Sequence, residues 1–300
     1  MTSKILAGVE MGGTKCVCIL GTGPSDIRGQ ETIPTGEPEA TLGAITEVLD
    51  RWNSKFGEIA AIGVASFGPL DLRRNSSTYG RIGITPKERW IGTDLAAHFR
   101  KRFSGPVGFS TDVIGAALAE GRWGKAQGLT DFAYVTIGTG VGVGSIAAGK
   151  PILGCHHPEL GHMRIARLPG DLWPGSCRFH GDCVEGLVSG PAIQARVGHS
   201  AADLSADNPI WESIAYVLGQ LAQTLLLAAA PQRILIGGGV VNTRPHLFPR
   251  IRHHLATSLN GYLDIEEVTC GLDEFLGPPG LGASAGPLGA LALAADTLSG

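Results

Sequence analysis

Residues 176–186 read SCRFHGDCVEG and place Cys177, His180 and Cys183 three residues apart in one turn-rich run. Two thiols and an imidazole at that spacing are ligands for a transition metal. His162, in HPELGH just upstream, offers a fourth donor. Two cysteines and two histidines form a closed tetrahedral set with no position left for water, so the expected ion is a structural Zn²⁺. Free thiols, or a disulfide between Cys177 and Cys183, are the alternatives. His156 and His157 could also ligate, but both precede a proline turn and are as well placed to face a ligand. A clamp of this kind would hold its loop rigid and aim Glu159 at whatever binds there.

A second group of candidates surrounds Asp112. Residues 106–124, PVGFSTDVIGAALAEGRWG, predict a short strand, a break at Ser-Thr-Asp and then a helix with apolar spacing. Asp112 then stands at the carboxyl end of a strand, the edge at which open α/β sheets bind ligands. Ser, Thr and Asp are also the preferred helix N-caps, so a cap and a general base are both open readings. A carboxylate with an ordinary pKa of about 3.9 cannot strip an alcohol of its proton in the ground state. It can accept that proton late, as the alcohol attacks a transferring phosphoryl group.

Phosphate would need backbone donors, and glycine is where this chain is unusual. It has 45 glycines in 300 residues, against an average usage of about 7%. Residues 4–20, KILAGVEMGGTKCVCIL, predict a strand, a Gly-Gly turn suited to positive φ, and a second strand. Residues 132–147, FAYVTIGTGVGVGSIA, repeat the pattern around Gly-Thr-Gly. Gly237, Gly238 and Gly239 follow another buried strand. Such turns let successive N–H groups approach an anion. Glu10 could hold a metal's water shell beside the first turn, and Thr14 and Lys15 could donate to phosphate oxygens, although Lys15 also reads as an exposed strand lysine. No GxxxxGK[ST] motif occurs, and the glycines sit between two strands rather than between a strand and a helix. Any phosphate binding is therefore not of the P-loop kind, and the dinucleotide fingerprint fits poorly.

These groups need a scaffold. A helix over 41–52 and a strand over 59–66 follow the first hairpin; helices and a strand over 231–241 follow the second. The weak internal symmetry, in a chain longer than one core usually supports, implies two α/β lobes. A net charge of −3 without a basic run argues against nucleic acid. The longest apolar stretch, 218–230, is too short to span a bilayer, and the opening MTSKILAGVE lacks signal-peptide features. A cytoplasmic protein is expected, with Cys16 and Cys18 as core residues and metal favoured over disulfides.

The chain resembles the ROK sugar kinases, and within them the bacterial fructokinases. The resemblance runs almost end to end through GVEMGGTK, ASFGPLDL, ITPKERW, FSTDV, YVTIGTGVGVG, HPELGH, CRFHGDCVEGLVSGPAI, RILIGGGVV and LGASAGPLGALALA. It implies a two-lobed actin-like ATPase and sugar kinase fold, ribonuclease H-like, with duplicated lobes and a cleft between them. A smaller lobe would span 1–111 plus about 284–300. A larger one would span 112–283, with a zinc-binding insert over about 155–190. By the same resemblance Gly12, Gly13, Thr14 and Lys15, with Thr139 and Gly140, form two phosphate loops for ATP. Gly237, Gly238, Gly239 and Pro191 lie near the adenosine, and Glu10 faces Mg²⁺. Asp112 matches the catalytic base. Gly68, Pro69, Thr111, Asp112, Glu159 and His162 match sugar contacts, and His162, Cys177, His180 and Cys183 match the zinc site. Cys-x-x-His-x-x-Cys is the spelling of the fructokinase branch, which points to fructose over glucose, mannose or an N-acetyl hexosamine. A homodimer is expected. Regulators of the family carry a helix-turn-helix before the kinase-like part, and the first hairpin here starts too near Met1 for one. One departure stands out: where the family usually reads Asp-x-Asn-Ala-Ala, this chain has Ile114 and Gly115. That opens the geometry around Asp112 to question, and with it a reading as a catalytically weakened sugar-binding protein.

Overall fold

The computed structural model describes residues 4–299; the first three residues of the opening segment and Gly300 lie outside it. The chain divides into two compact units. One takes the chain up to Gln127, the segment Ile152–His157 and everything from Ala283; the other comprises Gly128–Pro151 and Pro158–Gly282.

In the first unit, strands β1 (Leu6–Met11), β2 (Lys15–Gly23) and β3 (Asp26–Pro34) form an antiparallel meander. Helix α1 (Pro38–Phe56) opens with proline in its first turn and buries Leu42, Ile45, Val48, Leu49 and Trp52, a helical spacing. Strand β4 (Ala61–Ser66) is buried at every position. Helix α2 (Leu95–Arg102), strand β5 (Val107–Thr111) and helix α3 (Asp112–Trp123) follow. The sheet order is β3-β2-β1-β4-β5, with β1, β4 and β5 parallel. Strand β3 is half exposed and mostly polar, so no apolar run announces it.

The C-terminal helix, Ala285–Ser299, lies in a trough made by sequence. Gly8, Gly63 and Gly108 are cross-strand neighbours on β1, β4 and β5. A Cβ on Gly8 would lie 2.7 Å from the Leu291 nitrogen, and one on Gly63 would lie 2.6 Å from that of Ala294. Glycine is required there because a helix backbone rests directly on the sheet. On its other side this helix crosses α3, where Gly289 meets Gly115 backbone to backbone. That contact explains why the unit runs on to Gln127, whereas the expected boundary fell between 111 and 112. Gly115 itself is tightest against strand β4: a Cβ there would lie 3.0 Å from the Ala65 methyl and 3.4 Å, an ordinary contact, from Gly289. Ile114 is 2% exposed, so the position is a core site.

The second unit repeats the topology. Strands β6 (Phe132–Ile137), β7 (Val141–Ala147) and β8 (Lys150–Pro151) form the antiparallel part. Helices α4 (Val184–Val188), α5 (Gly190–Val197) and α6 (Ile210–Ala229) come next. Strand β9 (Arg233–Gly237), helix α7 (Leu247–Leu259) and strand β10 (Leu276–Gly277) complete it. The order β10-β9-β6-β7-β8 matches that of the first sheet strand for strand. The apolar stretch around 218–230 forms the second half of α6, with Leu218, Leu221 and Leu225 in the core and residues 227–230 exposed. Among the described residues no helix is long and apolar enough to cross a membrane.

Candidate functional site

Parallel register assembles the first unit's candidates. Met11 pairs with Ser66, and Ser66 with Thr111, so β1, β4 and β5 end together. The Gly12–Lys15 turn, the Gly68–Pro69 loop and Asp112 therefore emerge at one sheet edge. The turn is pinned from the end of β3: Thr35 donates its hydroxyl to the Gly12 carbonyl at 2.8 Å, and its N–H to Thr14 at 3.0 Å. Neither Gly12 nor Gly13 adopts the positive φ expected of them. Gly12 is needed for proximity instead, since a Cβ there would lie 2.8 Å from the Lys15 carbonyl oxygen. The Gly68–Pro69 bond is cis, and the buried His157 buttresses it by accepting the Leu70 N–H at 3.1 Å. His157 is thus a support for this loop.

Asp112 is the first residue of α3, and the cap is its neighbour: Thr111 accepts the Ile114 N–H at 3.3 Å. One carboxylate oxygen of Asp112 accepts the N–H of Val113 at 2.8 Å, which orients the group. Burial pushes the carboxyl up to about 6. Glu10 is pushed up to about 7 by burial and then by Asp112, with Lys15 pulling it down. Its carboxylate lies over the start of the C-terminal helix, where a Cβ on Gly286 would come within 2.9 Å of Oε2 and closer still to Oε1. Two neighbouring acids, one driven towards its neutral form by the other, fit a place where a divalent cation restores both charges.

In the second unit the Gly138–Gly140 turn and Gly237–Gly239 share the carboxyl edge of β6 and β9. Gly238, at φ 97°, runs against the end of β6, where a Cβ would lie 2.5 Å from the Ile137 nitrogen. A Cβ on Gly239 would meet nothing within 4 Å, so this glycine faces open space. Pro191 is exposed in the first turn of α5. Thr139 and Gly140 sit in a turn that Glu185 braces by accepting the Val141 N–H at 3.0 Å, and Gly190 donates to the Gly138 carbonyl at 2.8 Å. Glu185 was not singled out from sequence. It lies two residues beyond Cys183, and nothing local ties it to a turn more than forty residues earlier.

His162, Cys177, His180 and Cys183 converge, their ligand atoms all within 4.8 Å of one another. The Sγ of Cys177 lies 3.7 Å from Nδ1 of His162 and 3.8 Å from Nδ1 of His180; the Sγ of Cys183 lies 3.6 Å from Nδ1 of His162. Zinc–sulfur and zinc–nitrogen bonds in a tetrahedron set sulfur–nitrogen edges of about 3.6 Å, so the donor set fits one ion. Both cysteines are unbonded. Local structure builds the cluster. Cys177 and Gly181 exchange backbone hydrogen bonds at 3.1 and 2.9 Å, with Gly181 at φ 64°, and Cys183 caps α4. Glu159 immediately precedes the short 3-10 turn Leu160–His162, and its carbonyl accepts the His162 N–H at 2.9 Å.

Two units of one topology, each with a glycine turn at the carboxyl edge of its sheet, define a two-lobed actin-like sugar kinase fold. The crystal structure of the ROK hexokinase from Thermus thermophilus shares it, with a TM-score of 0.78 and 25% identity, covering 98% of this chain and 99% of that one. The chain belongs to the ROK family, whose model matches residues 6–297. It is 38% identical to a fructokinase of Pediococcus pentosaceus over 98% of this chain and 99% of that protein. It is 39% identical to a fructokinase of Zymomonas mobilis subsp. mobilis, covering 97% and 96%.

Proposed function

We propose that this chain is an ATP-dependent fructokinase producing fructose 6-phosphate. The observation that carries the reading is Asp112: a half-buried, oriented carboxylate at the strand edge that also bears a glycine turn, with helix capping left to Thr111. In the reaction the sugar hydroxyl oxygen bonds to the terminal phosphorus of ATP, the bond to ADP breaks, and the hydroxyl proton passes to Asp112. A carboxyl raised to about 6 suits that role better than an ordinary one, because it accepts the proton more readily yet is ionised at neutral pH. Gly12–Lys15 and Thr139–Gly140 hold the phosphates, Gly237–Gly239 and Pro191 the adenosine. Thr111, Gly68, Pro69, Glu159 and His162 contact the sugar. Glu10 would hold Mg²⁺, whose charge offsets that of the phosphates when bound. The Cys₂His₂ group would hold a structural Zn²⁺, consistent with a reducing cytoplasm. The family resemblance carries a homodimer, which sedimentation tests.

Relatives named fructokinase at 38–39% identity over nearly the full chain support fructose as the acceptor. With Ile114 in the core and Gly115 at a helix crossing, the departure from the family pattern has a packing explanation and does not disable Asp112. The test is a panel of hexoses with Mg-ATP, ranked by kcat/KM through ADP release. Fructose ranks first; a larger kcat/KM for glucose, mannose or an N-acetyl hexosamine moves the assignment to that sugar. No sugar-dependent ADP release refutes it.

A further inference from the structure

Lys87, in the ITPKERW run, has no place in the roles given above, yet its side chain lies over the first glycine turn. A Cβ built on Gly13 would stand 3.5 Å from Cε of Lys87, ordinary contact with the last carbon before the ammonium. The position is held from below by a buried tryptophan. Trp90 is 2% exposed, donates its backbone N–H to the Lys87 carbonyl at 2.8 Å and its indole N–H to Gly36 at 3.0 Å, and packs edge-on against Phe67. The next basic residue, Arg89, is paired with Glu37. Lys87 is half-buried and forms no ion pair among the described residues. Its charge nonetheless reaches the turn: burial pushes the Cys16 thiol up, and Lys87 is among the groups that pull it back.

A half-buried lysine without an ion pair, beside a turn whose N–H groups suit an anion, lacks a partner that a phosphate would supply. We propose that Lys87 is a second phosphate-binding cation of the Gly12–Lys15 turn, contacting the terminal phosphoryl group of the nucleotide. The inference rests on the ATP-dependent reading above. It adds a point charge where negative charge gathers during transfer, the kind of fixed electrostatic contact that matters most in a site closed to water. No bond to Lys87 forms or breaks, and it keeps its proton throughout.

The experiment compares Lys87→Met with Lys87→Arg. Calorimetry measures binding of the β,γ-imido analogue of ATP and of ADP, each with Mg²⁺ and without sugar; kcat is measured with fructose. Lys87→Met is expected to weaken the analogue about tenfold while leaving ADP within about twofold, and to lower kcat about a hundredfold. Lys87→Arg keeps most of both. Analogue affinity and kcat both unchanged in Lys87→Met overturn the proposal. So does equal damage from Met and Arg, which would make side-chain shape rather than charge the cause. Thermal unfolding of each variant guards against a folding defect, and Lys87→Gln replaces Met if the latter unfolds. If the wild type turns over no hexose yet the contrast between analogue and ADP persists, the fructokinase reading fails and the Lys87 contact stands.

Discussion

Replacing Gly289 by alanine tests whether packing of the C-terminal helix positions the base. A Cβ there would lie 2.6 Å from the Ala116 nitrogen, and closer still to the Gly115 carbonyl, whereas ordinary contact begins at 3.4 Å. The neighbours are backbone atoms of α3, so no side chain can swing aside. The two helices must part by at least 0.8 Å, the difference between those distances. Overpacking costs about 1–3 kcal/mol, and a backbone clash belongs at the upper end. Replacing a helix-interior glycine by alanine returns about 1 kcal/mol, leaving a net loss of about 2 kcal/mol. For a unit of this size that lowers Tm by about 4–8 °C. Because α3 begins at Asp112, the same displacement moves the proposed base, and a shift of this order lowers kcat about 10- to 100-fold. Gly115→Ala is the control: its Cβ would lie 3.0 Å from the Ala65 methyl and 3.4 Å from Gly289, and its effect stays within about 1 kcal/mol. Scanning calorimetry and fructose-dependent ADP release measure both. A Gly289→Ala protein with wild-type Tm and kcat, or a Gly115→Ala protein equally damaged, would refute the reasoning.

Asp112→Asn should reduce kcat by about 10²–10⁴-fold with an unchanged circular dichroism spectrum. The folded state holds the Asp112 proton more tightly than the unfolded chain does, so this group's contribution to stability falls as pH rises from its ordinary range through about 6. Asp112→Asn should accordingly have the higher Tm at pH 8, with the difference closing towards pH 4, while wild-type kcat/KM rises with pH through about 6. Purified protein should carry one zinc per chain by elemental analysis, and chelation should expose residues 163–183 to protease and weaken fructose binding; a chelated protein that stays folded with full affinity would refute the clamp. Glu185→Ala should raise the KM for ATP by releasing the Val141 N–H, whereas Glu185→Gln, which can still accept that bond, should stay near wild type.

Much of the site was legible because local rules and chemistry coincide. The alternation from strand to glycine turn to strand located both hairpins, and the spacing of Cys177, His180 and Cys183 marked a candidate metal site whose ligand atoms converge. The break from β5 to α3 put Asp112 at a strand's end. Other features were not local. Asp112 and Thr111 are equally good caps in sequence, and only the geometry of α3 assigns the cap to Thr111. Gly12 looked like a positive-φ residue and proved to be a close-approach residue. Strand β3 carries too few apolar residues to be seen, yet Thr35 just beyond it pins the Gly12–Lys15 turn.

By itself, then, the sequence determined the class of fold and marked the candidate metal ligands and the proposed base, since each depends on residue types a few positions apart. Tertiary structure alone decided what supports them. Thr35 reaches Gly12, His157 reaches Leu70, Glu185 reaches Val141, and Gly289 sits on Gly115, all across distances in the chain that no local pattern encodes. The register Gly8–Gly63–Gly108 is the plainest case. Three glycines from three separate strands have no meaning until the strands align, and then they form the trough that seats a helix at the far end of the chain.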